Sequence, residues 1–349
     1  MINMVILLGL IMVLHLTVLT LLKEVLDILM EVQTGEIKAI VNMTKCADGV
    51  YREIRNNAVS DMMEPGSTFK TASIMVALED GKITPDQTID TGNGVYNMHG
   101  ARMKDHNWHR GGYGVITTTQ TLMYSSNIGV SRLIDQNYHD HPEKYVQGLY
   151  KLGIASPLHL DIPGAGDPFI RMPNKNNWSK TALAWMSIGY ETQIPPISTV
   201  TFYNAIANNG VMVKPKFVKA IMKDGQVVKE IPTEVLNPAI ASPKTIQEIQ
   251  VILEKVVSEG LGRQAGSKQF HVSGKTGTAQ VSQGKSGYTN GMRQYLVSFC
   301  GYFPSESPRY SCIVAIQKNG YPASGGGMAG PVFRNIAERV FAKHLAQDL

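Results

Sequence analysis

The sequence predicts a mixed α and β fold in which strands from both ends of the chain form one sheet and an inserted run of helices forms a second lobe. Strand-like segments occur at residues 27–42 and again within 271–317, whereas most segments between them show the apolar period of helices. The chain has 349 residues, of which 43% are apolar and 17% are charged. This is a globular composition with enough apolar material for a large core.

An apolar segment, residues 4–22, precedes the first predicted strand. It is just long enough to span a bilayer as a helix, and its apolar residues fall on all sides rather than on one stripe. We therefore expect residues 1–26 to form a membrane anchor. The alternatives are a cleaved signal peptide, a helix packed on the sheet and a misread start of the gene. The signal peptide fits less well because no A-x-A-like cleavage site follows the segment, and a packed helix would expose leucines to water.

Residues 27–349 are predicted to form one domain, with the helical lobe inserted at about residues 82–210. A turn at Thr34-Gly35 divides the first strand pair, and Pro65-Gly66 precedes a helix over residues 67–80. The other predicted elements are a helix over 198–209, a hairpin over 211–231 turning at Asp224-Gly225, a helix over 242–258, strands over 271–281, 295–303 and 310–317, and a helix over 330–345.

The charge and the residue composition of the chain argue against several classes of function. The formal net charge is +5, but Lys and Arg are scattered, so we expect no nucleic-acid partner. The three cysteines are too few for a disulfide scaffold, and no C-x-x-C or H-E-x-x-H motif occurs, so we expect no metal and no cofactor. If the chain turns near Glu306, Cys300 and Cys312 fall opposite each other on paired strands. We favour two buried thiols there, with a disulfide as the alternative.

Three short motifs in a fixed order indicate the chemistry: S-x-x-K at residues 67–70, S-x-N at 125–127 and K-T-G at 275–277. Ser67 and Lys70 would lie side by side at a helix start, where free N–H groups favour negative charge. A serine hydroxyl needs a nearby base, and Lys70 can serve only when neutral, a state favoured by burial and by the charge of Lys275. The plainer interpretation of an isolated S-x-x-K is a capping serine with a solvated lysine. A second copy, at residues 282–285, lies in a Gly-rich loop and has no such context.

The S-x-N motif lies between two helical segments. Ser125 is suited to pass a proton between Lys70 and a leaving amine, and Asn127 offers a donor and an acceptor to a substrate peptide bond. Taken alone, the motif is better explained as a polar turn between helices.

The K-T-G motif lies in a strand pattern that fits an edge strand. The charge of Lys275 and the hydroxyls of Thr276 and Thr278 suit a carboxylate, and Gly277 would let a ligand approach the backbone. The N–H groups of Thr278 and Ser67 are candidates for an oxyanion hole. The alternative is an ordinary strand with a glycine bulge.

In their local contexts these motifs resemble the transpeptidase domain of class B penicillin-binding proteins, over roughly residues 27–345. The matching stretches are E-P-G-S-T-F-K at 64–70, S-S-N at 125–127, K-T-G-T-A-Q at 275–280 and G-P-V-F at 330–333. The resemblance implies an α+β penicillin-recognising fold, shared with serine β-lactamases, in which an antiparallel sheet with flanking helices packs on an all-helical lobe. It also implies the site residues: Ser67, Lys70 and Ser125 as catalytic, and Asn127, Lys275, Thr276, Gly277 and Thr278 as substrate-binding.

The implied reaction is D-alanyl-D-alanine transpeptidation through an acyl-enzyme on Ser67. The implied partners are peptidoglycan stem peptides, β-lactam antibiotics, the membrane, and proteins of cell-wall synthesis and division. The implied location is the bacterial inner membrane, crossed once, with the catalytic domain in the periplasm. The sequence departs from the family in one respect. Lys23 leads almost directly into the first strand, so we expect a chain without the family's pedestal domain.

Two other classes of function stay open. A serine β-lactamase would need a group that activates water. The class A glutamate in its E-x-x-L-N setting is not found, but the modified lysine of class D enzymes is compatible with the sequence. A penicillin sensor would be expected to carry several membrane helices, and an inactive scaffold would be expected to have lost a catalytic residue.

Overall fold

The structure, a computed structural model, describes residues 22–281 and 293–345. Its strands are β1 Leu22–Glu31, β2 Ile37–Lys45, β3 Tyr51–Arg52, β4 Thr88–Asp90, β5 Val95–Met98, β6 Ala101–Lys104, β7 Val115–Thr117, β8 Phe169–Ile170, β9 Thr192–Gln193, β10 Met212–Val213, β11 Ala220–Lys223, β12 Gln226–Glu230, β13 Val235–Asn237, β14 Ser273–Gln280, β15 Gln294–Phe303 and β16 Tyr310–Asn319. Its α-helices are α1 Asn57–Ser60, α2 Lys70–Glu79, α3 Thr118–Met123, α4 Asn127–Tyr138, α5 Pro142–Lys151, α6 Ala182–Met186, α7 Pro196–Ala207, α8 Pro243–Ser258 and α9 Gly330–Leu345. Turns of 3₁₀ helix cover Gly66–Thr68, Trp108–Arg110 and Arg263–Ala265, and a π-helical turn covers Gly325–Ala329.

Strands from the two ends of the chain form one antiparallel sheet in the order β14-β15-β16-β1-β2-β3. This confirms the predicted sheet closed by both termini. β1 begins at Leu22, where it pairs with Lys318, so residues 22–26 belong to the sheet and the predicted boundary after residue 26 lies too late. The reason is that β1 is covered on both faces. Val25 and Leu26 are both buried, so the strand continues the apolar run without alternation.

The sheet buries apolar side chains on both faces. On one face Leu26, Ile28 and Cys300 join the core shared with the lobe, and on the other Cys312 joins the core beneath α9. Cys300 pairs with Ile313, and Cys312 pairs with Gly301, so the two cysteines are one residue out of register. Because neighbouring residues of a strand point to opposite faces, the thiols are separated by the sheet. The expectation that they lie opposite each other is wrong, and their interpretation as buried free thiols is confirmed.

Most of the predicted helices and turns lie close to their expected places. Ser242 caps α8 by accepting a hydrogen bond from the Thr245 N–H. β11 and β12 form a hairpin that turns at Asp224-Gly225, and both turn residues have positive φ, as such two-residue turns require. The hairpin is shorter than predicted because β10 pairs with β13 instead.

The lobe is mainly helical but not all-helical, which corrects the prediction. Within residues 82–210, β4 pairs with β7, β5 with β6, and β8 with β9. These strands have two to four residues each. Such short strands show no measurable alternation of apolar and polar residues, so the sequence pattern does not reveal them.

The predicted membrane segment, residues 4–22, lies outside the described residues except for Leu22, and so does the second S-x-x-K copy at 282–285. Within the two described ranges, no helix combines the length and the apolar character needed to cross a bilayer.

Candidate active site

Ser67 lies in the 3₁₀ turn Gly66–Thr68, which leads directly into α2. Its side chain is partly exposed, whereas Gly66 and Thr68 on either side are buried. Gly66 has a φ of +58°, and a Cβ added there would lie 2.8 Å from the Cβ of Ala279 on β14. The turn therefore needs a glycine both for its backbone conformation and for its close approach to the sheet edge.

Lys70 begins α2 and is fully buried. Its Nζ donates hydrogen bonds to the Ser125 carbonyl oxygen at 2.7 Å, to Asn127 Oδ1 at 2.7 Å and to Ser125 Oγ at 3.3 Å. The amine of the first motif is thus held by two polar residues of the second. The sequence predicted that Lys70 and Ser125 would act together, but it did not predict the contact with Asn127.

The S-x-N motif forms a tight break between α3 and α4. Ser125 has a φ of +52°, a left-handed conformation that non-glycine residues seldom adopt. Ser126 caps α4 by accepting a hydrogen bond from the Gly129 N–H at 2.8 Å. The surrounding structure holds Ser125 in this strained conformation, in which its hydroxyl contacts Lys70 and Lys275.

Asp105 is a buried residue of the site that the sequence did not reveal. Its Oδ2 accepts a hydrogen bond from Ser126 Oγ at 2.7 Å, and its Oδ1 accepts one from the Ile128 N–H at 3.0 Å. It therefore fixes the start of α4 from outside the motif. The partners of Asp105 are more than 20 residues further along the chain, so no local sequence pattern indicates its role. Ser126, by contrast, lies just before a helical segment, which is the position typical of a helix-capping serine.

Lys275 lies on β14, an edge strand of the sheet, as predicted. It is fully buried, and its Nζ donates to Ser125 Oγ at 2.9 Å and to the Thr276 carbonyl oxygen at 3.0 Å. The Ser125 hydroxyl consequently lies between the amines of Lys70 and Lys275, and one oxygen joins all three motifs.

Burial determines the protonation of both lysines. It lowers the pKa of Lys70 from 10.5 to about 7, although the negative charge of Asp105 acts in the opposite direction. It also lowers the pKa of Lys275 well below its ordinary value, and the charge of Lys70 lowers it further. Of the two causes expected from the sequence, burial and the charge of Lys275, it is desolvation by burial that lowers the Lys70 pKa. A large fraction of Lys70 is therefore neutral near pH 7.

The predicted binding residues differ in how free their polar groups are. Asn127 Nδ2 donates to the Lys104 carbonyl oxygen at 2.8 Å while its Oδ1 accepts from Lys70. One N–H and one lone pair of this amide therefore remain for a ligand. Thr276 is buried, whereas Thr278 is exposed and its Oγ1 accepts a hydrogen bond from the Gly325 N–H at 3.1 Å.

Gly277 serves packing within the protein. A Cβ added there would lie 2.3 Å from Ser298 Oγ and 3.2 Å from Thr68 Cγ2. The space that a side chain would need at this position is thus filled by the protein itself. Gly277 thus lets β14 lie against the Ser67 turn.

A cavity of about 1160 Å³ begins next to these motifs. Its lining includes Glu64, three residues before Ser67, and Gln280, at the end of β14. Arg171 and Trp178 of the lobe also line it, whereas none of the S-x-x-K, S-x-N and K-T-G residues does. The cavity thus lies beside the motifs and has room for an extended ligand.

A family model described as the penicillin binding protein transpeptidase domain matches residues 27–338. Among curated proteins, the chain is 28% identical over 344 residues to penicillin-binding protein PbpB of Mycolicibacterium smegmatis, covering 92% of this chain and 50% of the relative. It is 30% identical over 326 residues to the peptidoglycan D,D-transpeptidase FtsI of Buchnera aphidicola, covering 90% and 53%. The chain spans about half the length of the curated relatives it matches.

Solved structures agree with this similarity. The transpeptidase domain of penicillin-binding protein 3 from Burkholderia pseudomallei superposes with a TM-score of 0.78 at 27% identity, covering 98% of this chain and 94% of that chain. Penicillin-binding protein 3 from Mycobacterium tuberculosis, complexed with aztreonam, gives the same TM-score and identity and covers 93% and 73%.

Proposed function

Because the chain belongs to the penicillin-binding protein transpeptidase family, we propose that it is a peptidoglycan D,D-transpeptidase, a serine acyltransferase that cross-links stem peptides at D-Ala-D-Ala. The observation that carries this proposal is the contact of two buried amines, from Lys70 and Lys275, with the Ser125 hydroxyl. This arrangement supplies a base and a proton relay beside the turn that bears Ser67.

Acylation begins when Ser67 Oγ attacks the carbonyl carbon of the bond between the two D-alanines. Neutral Lys70 accepts the hydroxyl proton as the new C–O bond forms. The C–N bond then breaks, Ser125 Oγ gives its proton to the departing nitrogen, and Lys70 returns a proton to Ser125. The products are an ester on Ser67 and free D-alanine.

The remaining motif residues bind the substrate. The N–H groups of Ser67 and Thr278 receive the carbonyl oxygen as it becomes negative. Lys275, with the hydroxyls of Thr276 and Thr278, holds the terminal carboxylate. Asn127 positions Lys70 and uses its free N–H on the peptide.

An amine of a neighbouring stem peptide resolves the ester. It attacks the acyl carbon and loses its proton through Ser125 to Lys70. As the C–O bond of the ester breaks, Lys70 gives a proton to Ser67 Oγ, which restores the serine hydroxyl and the neutral amine. A β-lactam acylates Ser67 in the same way, but its leaving nitrogen stays tethered to the acyl group and blocks the incoming amine. The complexes of Mycobacterium tuberculosis penicillin-binding protein 3 with ampicillin and aztreonam support this part of the proposal.

We further propose that the protein acts at the bacterial inner membrane, anchored by the apolar N-terminal segment, with its catalytic domain in the periplasm. Proteins of cell-wall synthesis and division are its proposed partners there. The similarity to the peptidoglycan D,D-transpeptidase FtsI supports a role in cell-wall assembly.

Labelling with a fluorescent penicillin tests the proposal. The wild-type chain should form a covalent adduct that is released slowly, and Ser67→Ala should abolish labelling while the fold is retained. Ser282→Ala, in the second S-x-x-K copy, is the matched control and should label normally. Rapid release of the label would indicate a β-lactamase, and an adduct mapped by mass to any residue other than Ser67 would refute the assignment.

A further inference from the structure

We propose that His99, Asp135 and His139 form a binding site for a divalent transition metal, with Zn²⁺ as the best match. His99 Nε2 lies 2.9 Å from both carboxylate oxygens of Asp135, and His139 Nδ1 lies 3.2 Å from one of them. One ligand atom from each residue falls within 4.8 Å of the other two. This cluster lies on the lobe and takes no part in the proposed acyl transfer.

The separations match those of atoms that share a zinc ion. Zn²⁺ holds imidazole nitrogens and carboxylate oxygens at about 2.0–2.2 Å, which places ligands roughly 3.0–3.5 Å apart at bond angles near 90–110°. Of the nitrogen-to-oxygen distances here, 3.2 Å falls within that range and 2.9 Å lies just below it. The side chains of His99 and His139 are 27% and 51% exposed, so an ion can reach both rings from solvent. Two imidazoles and one carboxylate leave a coordination position for water.

The local structure brings the three side chains together from two elements. His139 is the capping residue that directly follows α4, with helical dihedral angles, and it lies one turn beyond Asp135, so both side chains lie on one face. His99 and Gly100 form the turn between β5 and β6, with φ of +51° and +94°. This turn type favours Asn, Asp or Gly at the His99 position. His99 therefore has a strained backbone conformation, and from this position its side chain contacts Asp135 on α4.

The surrounding charges are compatible with a cation. The rings of His99 and His139 are stacked, with centroids 4.7 Å apart, and they share Asp135 as their acidic partner. Arg132, one turn before Asp135, is directed elsewhere. Its guanidinium stacks over the Tyr96 ring and donates a hydrogen bond to the backbone of β4.

The site would clamp two elements that also position the catalytic residues. At its far end, β6 offers the Lys104 carbonyl oxygen to Asn127, the first residue of α4. Asp135 lies eight residues further along α4, about 12 Å along the helix axis. A bound ion would therefore join hairpin and helix at a second point, remote from the reacting atoms, and its effect should be on stability rather than on the acylation step.

Zinc titration of the full-length chain in detergent, prepared without a polyhistidine tag, tests this. Calorimetry should show one tight site, and a hundredfold excess of Zn²⁺ over its Kd should raise the Tm by roughly 3–8 °C. Mg²⁺ should have no such effect. His99→Asn, which suits the turn, and His139→Ala should each weaken Zn²⁺ binding more than about tenfold, since even indirect partners of a metal contribute that much.

His141→Ala is the matched control, because His141 is exposed and close in sequence but contacts Glu143 instead. It should keep the full Zn²⁺ response, and penicillin labelling of Ser67 should persist in all three variants. A wild-type chain with no Zn²⁺-dependent rise in Tm would overturn the proposal. So would a full response in His99→Asn, which would place the ion elsewhere.

Discussion

The rate at which a penicillin acylates Ser67 should depend on pH through the protonation of Lys70. The amine must be neutral to accept the serine proton, and burial brings its pKa to about 7. The second-order rate constant should therefore rise about tenfold per pH unit below pH 7 and level off above about pH 8. Quenched labelling with a fluorescent penicillin between pH 5.5 and 8.5 would measure it.

The size of the effect follows from the burial of the amine. A lysine with the ordinary pKa of 10.5 would be neutral in roughly one molecule in 3,000 at pH 7, whereas about half of the Lys70 side chains are neutral there. The difference corresponds to about 5 kcal/mol in favour of the neutral amine. Burial of Lys70 thus raises the concentration of active base by about a thousandfold.

Asp105→Asn tests this role of Lys70, because it should shift the midpoint of the pH profile in a known direction. Its carboxylate raises the pKa of Lys70, so removing the charge should move the midpoint of the profile to lower pH. Asn keeps an oxygen for the Ile128 N–H and an amide that can contact Ser126, so the start of α4 should be retained. Lys70→Arg should abolish acylation at every pH because a guanidinium stays charged. A rate that is flat from pH 5.5 to 8.5, or a midpoint of Asp105→Asn above that of wild type, would refute the role of Lys70 as the base.

Three further outcomes are expected. Gly66→Ala should slow acylation and lower the free energy of unfolding by more than about 1 kcal/mol, because the new Cβ would contact Ala279 and the φ of this position is positive. Gly164 also has a positive φ but no such contact, so Gly164→Ala should lower the free energy of unfolding less. Melting curves of the two variants would measure the difference. A chain that starts at residue 22 should fold and label with penicillin. A chain that starts at residue 27 loses three buried apolar side chains of β1, each worth about 1.5–3 kcal/mol, and should be less stable. Equal free energies of unfolding for the two chains would contradict the start of β1 at Leu22. Thiol counting in denaturant should find three free cysteines, and a count of one would contradict the register of β15 and β16.

The catalytic motifs were predictable because their chemistry depends on local spacing. Ser67 and Lys70 are three residues apart on one helical start, and the Ser125 break lies between two segments with clear helical period. The sheet was predictable for a similar reason, since its long strands are bounded by turn residues. Even the depressed pKa of Lys70 followed in direction from the expected burial.

What the sequence did not reveal depends on contacts between distant segments. Asp105 is bound to the start of α4, and nothing near it in sequence indicates a partner there. The packing role of Gly277 depends on Thr68 and Ser298, which come from different parts of the chain. The His99 site was missed because 36 positions separate His99 from Asp135. Such residues are identified only when the chain is folded.

The strand order also determines when this protein can begin to work during its synthesis. Of the described strands, β1 is made before all the others of the sheet, yet one of its two neighbours, β16, is made after them. Until the ribosome has released β16, the hairpin of β1 and β2 keeps one long edge unpaired, a state prone to aggregation. Lys275 also arrives late, on β14. No nascent chain should therefore react with penicillin before β14, β15 and β16 have been made.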